Sequence, residues 1–106
     1  MKISDKEAKL IASGKLNAVI RWEAPLEKVC DILFDVEGVV YKLKDKKKWS
    51  LHRCVSKKTS TAFGCDSLTN AKATITFLYG EYSRIKDDVV YLVMIEKEKQ
   101  QRTLAV

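Results

Sequence analysis

Lys46, Lys47 and Lys48 run directly into Trp49. Lysines hold phosphates without regard to base sequence, and a neighbouring aromatic ring can stack a base. The same ring serves equally well as core if the segment is a strand. Arg21-Trp22 repeats the pairing, with arginine for a phosphate or base edge and tryptophan for stacking or packing. His52, Cys54 and Cys65 offer nitrogen and sulfur ligands, but their spacing is not that of a zinc finger or ribbon and no fourth ligand accompanies them. On a strand, His52 and Cys54 share one face and read as a packed imidazole and a small buried thiol. Carboxylates pair at Asp87-Asp88 and Asp31/Asp35, neither pair with a partner for acid–base work. No glycine-rich loop is present to cradle a phosphate. The expectation is a binding protein with no catalytic residues, no metal and no cofactor.

The formal net charge is +6, and its distribution says more than its total. Residues 39–71 carry eight Lys/Arg against two Asp/Glu, while residues 1–38 carry six against seven and residues 72–106 six against five. The excess is therefore confined to the middle third. A local basic patch is the usual electrostatic mark of an anionic partner, most often nucleic acid. Lys42, Lys44, Lys46, Lys47, Lys48, Lys57 and Lys58 are the candidates to hold a phosphate backbone.

A chain of 106 residues makes one domain, spanning residues 1–106, with a modest core. Apolar content of 46% and charged content of 32% are those of a globular protein. No apolar run approaches bilayer length, and Met1–Glu7 lacks the apolar stretch of a secretory signal, so no membrane partner and a cytoplasmic location are expected. Three irregularly spaced cysteines suit reduced thiols.

The elements that must position these groups follow from pattern. Ser4-Asp5-Lys6-Glu7 is a capping box, opening a short helix that Gly14 stops. Leu16–Glu23 reads as a strand. Residues 25–36 fit a helix by the spacing of Leu26, Val29, Cys30 and Leu33, or a buried strand from Val29. Glu37-Gly38 is a turn, Val39–Leu43 a strand, and Lys44–Lys48 an exposed turn or loop. Trp49–Val55 alternates as a strand, and Ser56–Asn70 reads as a long irregular connection. Ala71–Tyr79 and Val89–Ile95 are rich in Val, Ile, Thr and Tyr and read as strands. Glu96–Val106 begins as strand and ends as a polar tail. One early helix followed by many short strands predicts an α+β fold built on a small barrel or rolled sheet.

The order helix, Ser13-Gly14-Lys15, strand, Arg21-Trp22, Pro25, then Val29-Cys30-Asp31-Ile32 resembles the opening of the ASCH domains, small relatives of the RNA-binding PUA barrels. The resemblance covers residues 9–36. It implies a mostly antiparallel, PUA-like mixed β-barrel with an N-terminal helix, and a strand beginning near Val29 in the sheet that holds Leu16–Glu23. It also implies a cleft lined by Lys15 and Arg21 that faces nucleic acid, RNA before DNA. Some relatives remove an acyl group from acetylated cytidine with a lysine, a threonine and a glutamate. Leu16 and Val19 stand at the lysine and threonine positions, so the resemblance implies binding without that reaction. Arg21 has a polar end that can reach water, and Arg21→Ala is expected to spare the fold.

Two other readings compete. A small regulator or inhibitor could dock the same basic face on an acidic protein partner. Val19–Leu33 is also similar to the first strand and helix of START-like ligand-binding folds, which require a long C-terminal helix that this chain's pattern lacks.

Overall fold

Four antiparallel strands, in the order β1-β4-β3-β2, make one curled sheet in the computed structural model, which describes residues 1–55 and 68–98. The elements run α1 (Asp5–Ala12), β1 (Ala18–Arg21), β2 (Ile32–Val36), β3 (Val39–Ser50), α2 (Leu51–Cys54), α3 (Leu68–Tyr79), α4 (Tyr82–Ile85) and β4 (Val89–Lys97). The fold is a small α+β arrangement with an N-terminal helix on an antiparallel sheet.

Helix α1 starts as its sequence dictates. The Ser4 Oγ accepts from the Glu7 N–H at 3.1 Å, and Glu7 Oε1 accepts from the Ser4 N–H at 3.0 Å. Gly14, at φ +78°, turns the chain toward β1. Residues 26–36 do contain a strand in the sheet of β1, but it starts at Ile32, not Val29, and it pairs with β3. Asp31 delays it: its carboxylate accepts from the Lys28 N–H at 2.7 Å and holds a turn there. β2 and β3 are joined by Glu37-Gly38, both at positive φ (52° and 83°), the two-residue turn that matches strand twist.

Three expectations from the sequence are corrected. Lys44–Lys48 is not a loop but part of the twelve-residue β3, because β4 pairs Lys46, Lys47 and Lys48 with Val93, Leu92 and Tyr91. Trp49–Val55 is not one strand. β3 ends at Ser50, and Leu51, Cys54 and Val55, at helical spacing, go into the core as α2. Ala71–Tyr79 is helical although β-branched. Ala71 and Ile75 are buried one turn apart, and the Thr74 and Thr76 hydroxyls bond back to the carbonyls of Asn70 and Lys72 at 2.9 and 3.0 Å. Packing of that stripe overrides the strand propensity of its residues. Of the connection read at 56–70, residues 56–67 lie outside the described residues, as do Lys57, Lys58, Cys65 and the tail from residue 99.

The core is centred on Leu16, Val19, Ile20, Leu43, Leu51, Ile75, Val90, Leu92 and Val93. Adjacent Leu92 and Val93 are both fully buried, so the sheet is covered on both faces at its middle. Register shifts at Leu33 in β2 and Lys44 in β3 each insert one unpaired residue. Among the described residues, no helix is long and apolar enough to cross a membrane.

Candidate nucleic-acid interface

The register sorts the basic residues onto two faces of the sheet. Arg21 lies opposite Tyr91, and Tyr91 opposite Lys48. Directly opposed residues share a face, so these three and Lys46 stand together. The Lys48 ammonium sits 5.9 Å from the Tyr91 ring centre. Lys47 and Trp49 stand on the other face, where the Lys47 ammonium and the Arg53 guanidinium lie 5.3 and 4.8 Å from the Trp49 ring centre. The lysine run is thus divided between two surfaces rather than forming one patch.

Beside Arg21 a cavity of about 470 Å³ is lined by Lys2, Arg21, Trp22, Glu23, Pro25 and Glu27, among others. Lys46 Nζ donates to the carbonyls of Pro25 and Glu27 at 3.3 and 2.8 Å, tying β3 to the cavity wall. The Trp22 Nε1–H donates to Asp88 at 2.9 Å, and its ring meets Tyr79 edge-on at 5.9 Å. Trp22 keeps 42% of its surface exposed.

Arg21 itself is committed to the fold. Its Nη1 donates to Glu7 Oε2 at 2.8 Å and to the Ile20 carbonyl at 2.7 Å; its Nη2 donates to the Lys2 carbonyl at 2.8 Å and to Glu7 Oε1 at 3.0 Å. The Tyr79 hydroxyl donates to Glu7 Oε2 at 2.5 Å and accepts from the Ile20 N–H at 3.0 Å. Glu7, on α1, therefore joins β1 and α3 through one buried carboxylate. The sequence shows Glu7 only as a cap, and Tyr79 was hidden by the strand reading of its segment. Arg53 and Tyr91 were also missed, since their roles depend on α2 and on cross-strand register.

Burial pushes the Glu7 carboxyl up, but the hydrogen bonds from Arg21, Tyr79 and Ser4, with the guanidinium charge, outweigh it and hold the group below the usual carboxylate range. Its stabilising contribution is present above the unfolded-state value. That contribution drains away as pH falls below about 4.5 toward the lower folded-state value. Tyr79 is raised by burial and by the nearby Glu7 charge, so its contribution holds at neutral pH and fades above about 10. Urea melts of Glu7→Gln should be flatter between pH 5 and 3 than those of the wild type; equal slopes would remove Glu7 from the acid transition.

The remaining candidates are scattered. Lys15 and Arg21 do not line one cleft. They lie six residues apart along an extended segment, roughly 20 Å, with Lys15 exposed and Arg21 half-buried. Lys42, opposite Glu96, pairs with Glu98 at 3.2 Å near the far end of the sheet. Lys44 occupies the β3 bulge. His52 and Cys54 do not share a face, because α2 is helical: His52 is exposed, near Asp87 at 3.8 Å, and Cys54 is buried with its thiol pushed up to about 11 by desolvation. Among the described residues no cluster of His, Cys, Asp and Glu could hold a metal ion.

What the geometry defines is a small α+β protein with a curled antiparallel sheet and a divided basic surface. No family model matches the chain, and no curated protein matches it in sequence. A solved structure titled crystal structure of hypothetical protein PH0355 is similar, with a TM-score of 0.61 and 20% identity over 91% of this chain and 94% of that one. At that identity the likeness concerns the fold.

Proposed function

We propose that this is a non-catalytic nucleic-acid-binding domain of the PUA-like, ASCH type, with RNA as the preferred partner. The observation that carries the reading is the end of β3, where Lys46, Lys47, Lys48 and Trp49 are joined by Arg53 and Tyr91 in one short, cationic and aromatic stretch. Phosphates need the cations, and bases use the rings. The order α1, Gly14-Lys15, β1, Pro25 and β2 supports the ASCH-type fold. Leu16 and Val19 support binding over acyl transfer, since both are core residues at 1% and 0% exposure. Arg21 lines the cavity but acts first as a structural residue, so the lysines and Arg53 provide the free charge.

Titration of the full chain with a mixed single-stranded RNA at several salt concentrations tests this. The logarithm of affinity should fall linearly with that of salt, with a slope of about −2 for some three phosphate contacts. A flat salt response, or no binding at low salt, rejects the reading. Salt-sensitive binding to an acidic protein in place of RNA would favour the interaction-module alternative.

A further inference from the structure

We infer that Trp49, with Arg53 and Lys47 packed on it, is a stacking platform for an unpaired base, and that the nucleic acid taken is therefore single-stranded. This rests on the reading above and specifies the substrate class of the same site.

The platform is built by the fold. Trp49 is the last aromatic of β3, set opposite the fully buried Val90, so its inner edge packs on the core while the ring remains partly exposed. α2 follows at once and is pinned at both ends of its first turn. The Leu51 N–H donates to the Asp88 carbonyl at 2.9 Å, and the His52 N–H donates to the Lys86 carbonyl at 2.9 Å. Leu51 and Cys54 are fully buried beneath it. Arg53 is the exposed residue between them, and this anchoring places its guanidinium 4.8 Å from the Trp49 ring centre.

A guanidinium held against an aromatic ring offers an apolar outer surface with a positive charge. Unpaired bases stack on such planes and on aromatic rings, whereas a duplex keeps its bases stacked on each other and presents backbone. Lys47 stands two residues before Trp49 on the same face, about 7 Å along the strand. That places a cation beside the platform to take the adjoining phosphate. Lys47 is only weakly neutralised, with Asp45 at 3.7 Å and both side chains half-exposed. The strand alternation turns Lys46 and Lys48 to the opposite face. A single strand lying along β3 needs one row of charge; a duplex held by its backbone would use the lysines as one broad patch, which the register has divided.

The experiment follows tryptophan emission and anisotropy of the full chain during titration with a ten-nucleotide single-stranded RNA and with the same sequence annealed to its complement. The single strand should bind roughly tenfold more tightly, as expected when one stacked base is gained, and should quench the emission. Trp49→Phe leaves Trp22 as fluorophore and keeps an aromatic in place for packing; most of the quenching should disappear. Arg53→Ala should bring single-strand affinity down toward that of the duplex, with circular dichroism reporting the fold. Duplex binding as tight as single-strand binding overturns this inference and leaves the proposed function standing. Quenching that survives in Trp49→Phe also overturns it, because Trp22 is then the ring that meets the base. Failure of both nucleic acids to bind overturns both readings.

Discussion

Replacing Arg21 by alanine is expected to lower the stability of the protein by about 3 kcal/mol, the lower end of what breaking a buried ion pair costs. Glu7 is only 2% exposed, and its carboxylate is held by Arg21, Tyr79 and the Ser4 N–H. Without the guanidinium, a buried negative charge loses its counterion and two of its donors. The lower end applies because the Arg21 side chain is 23% exposed, so water can partly replace it. For a domain of this size the melting temperature should fall by roughly 10–20 °C. Adding Glu7→Gln to Arg21→Ala should recover part of the loss, because the amide removes the stranded charge and still accepts from Ser4 and Tyr79. An Arg21→Ala protein that melts with the wild type would show the network to be incidental. A double variant no better than the single would show that charge is not the cause.

Reversing Lys46, Lys47 and Lys48 to glutamate should weaken RNA binding by at least tenfold at low salt and reduce the salt slope by about 2. The fold should hold, since all three side chains are exposed and β4 pairs their backbones. Lys46 also bridges to the Pro25 and Glu27 carbonyls, so its reversal loosens the cavity wall. The Lys47→Glu, Lys48→Glu double variant avoids that complication and should retain most of the effect. Unchanged affinity and slope in either folded variant would mean that these lysines do not meet phosphate.

Local chemistry was legible in the sequence where it decides structure by itself. The Ser4–Glu7 capping box, the Gly14 stop, the Glu37-Gly38 turn and the strands at β1 and β4 all depend on nearby residues. The middle was misread wherever tertiary packing decides. Ala71, Ile75, Leu78 and Tyr79 lie at helical spacing, but Thr74, Ile75 and Thr76 between and among them carry strand propensity. Lys44–Lys48 looks like a loop because charge dominates it, while its backbone is fixed by β4 half the chain away. The candidate site suffered from the same cause. The lysines and Trp49 were visible as a run, but their division between two faces is a property of register. The structural commitment of Arg21 depends on Glu7 and Tyr79, which are brought to it from two other elements.

The bulge at Lys44 decides which surface carries which charge. On either side of it β3 is regular, so this single unpaired residue works as a parity bit for the six that follow. Removing Lys44 would subtract one positive charge from the total, a minor change by composition. It would also exchange the two faces, sending Lys47 and Trp49 toward Arg21 and the cavity, and Lys46 and Lys48 toward Arg53. Lengthening this strand by one residue is therefore a far larger change to the surface than any single substitution along it. The molecule's outward chemistry is encoded as much in the count of residues between Leu43 and Trp49 as in their identities.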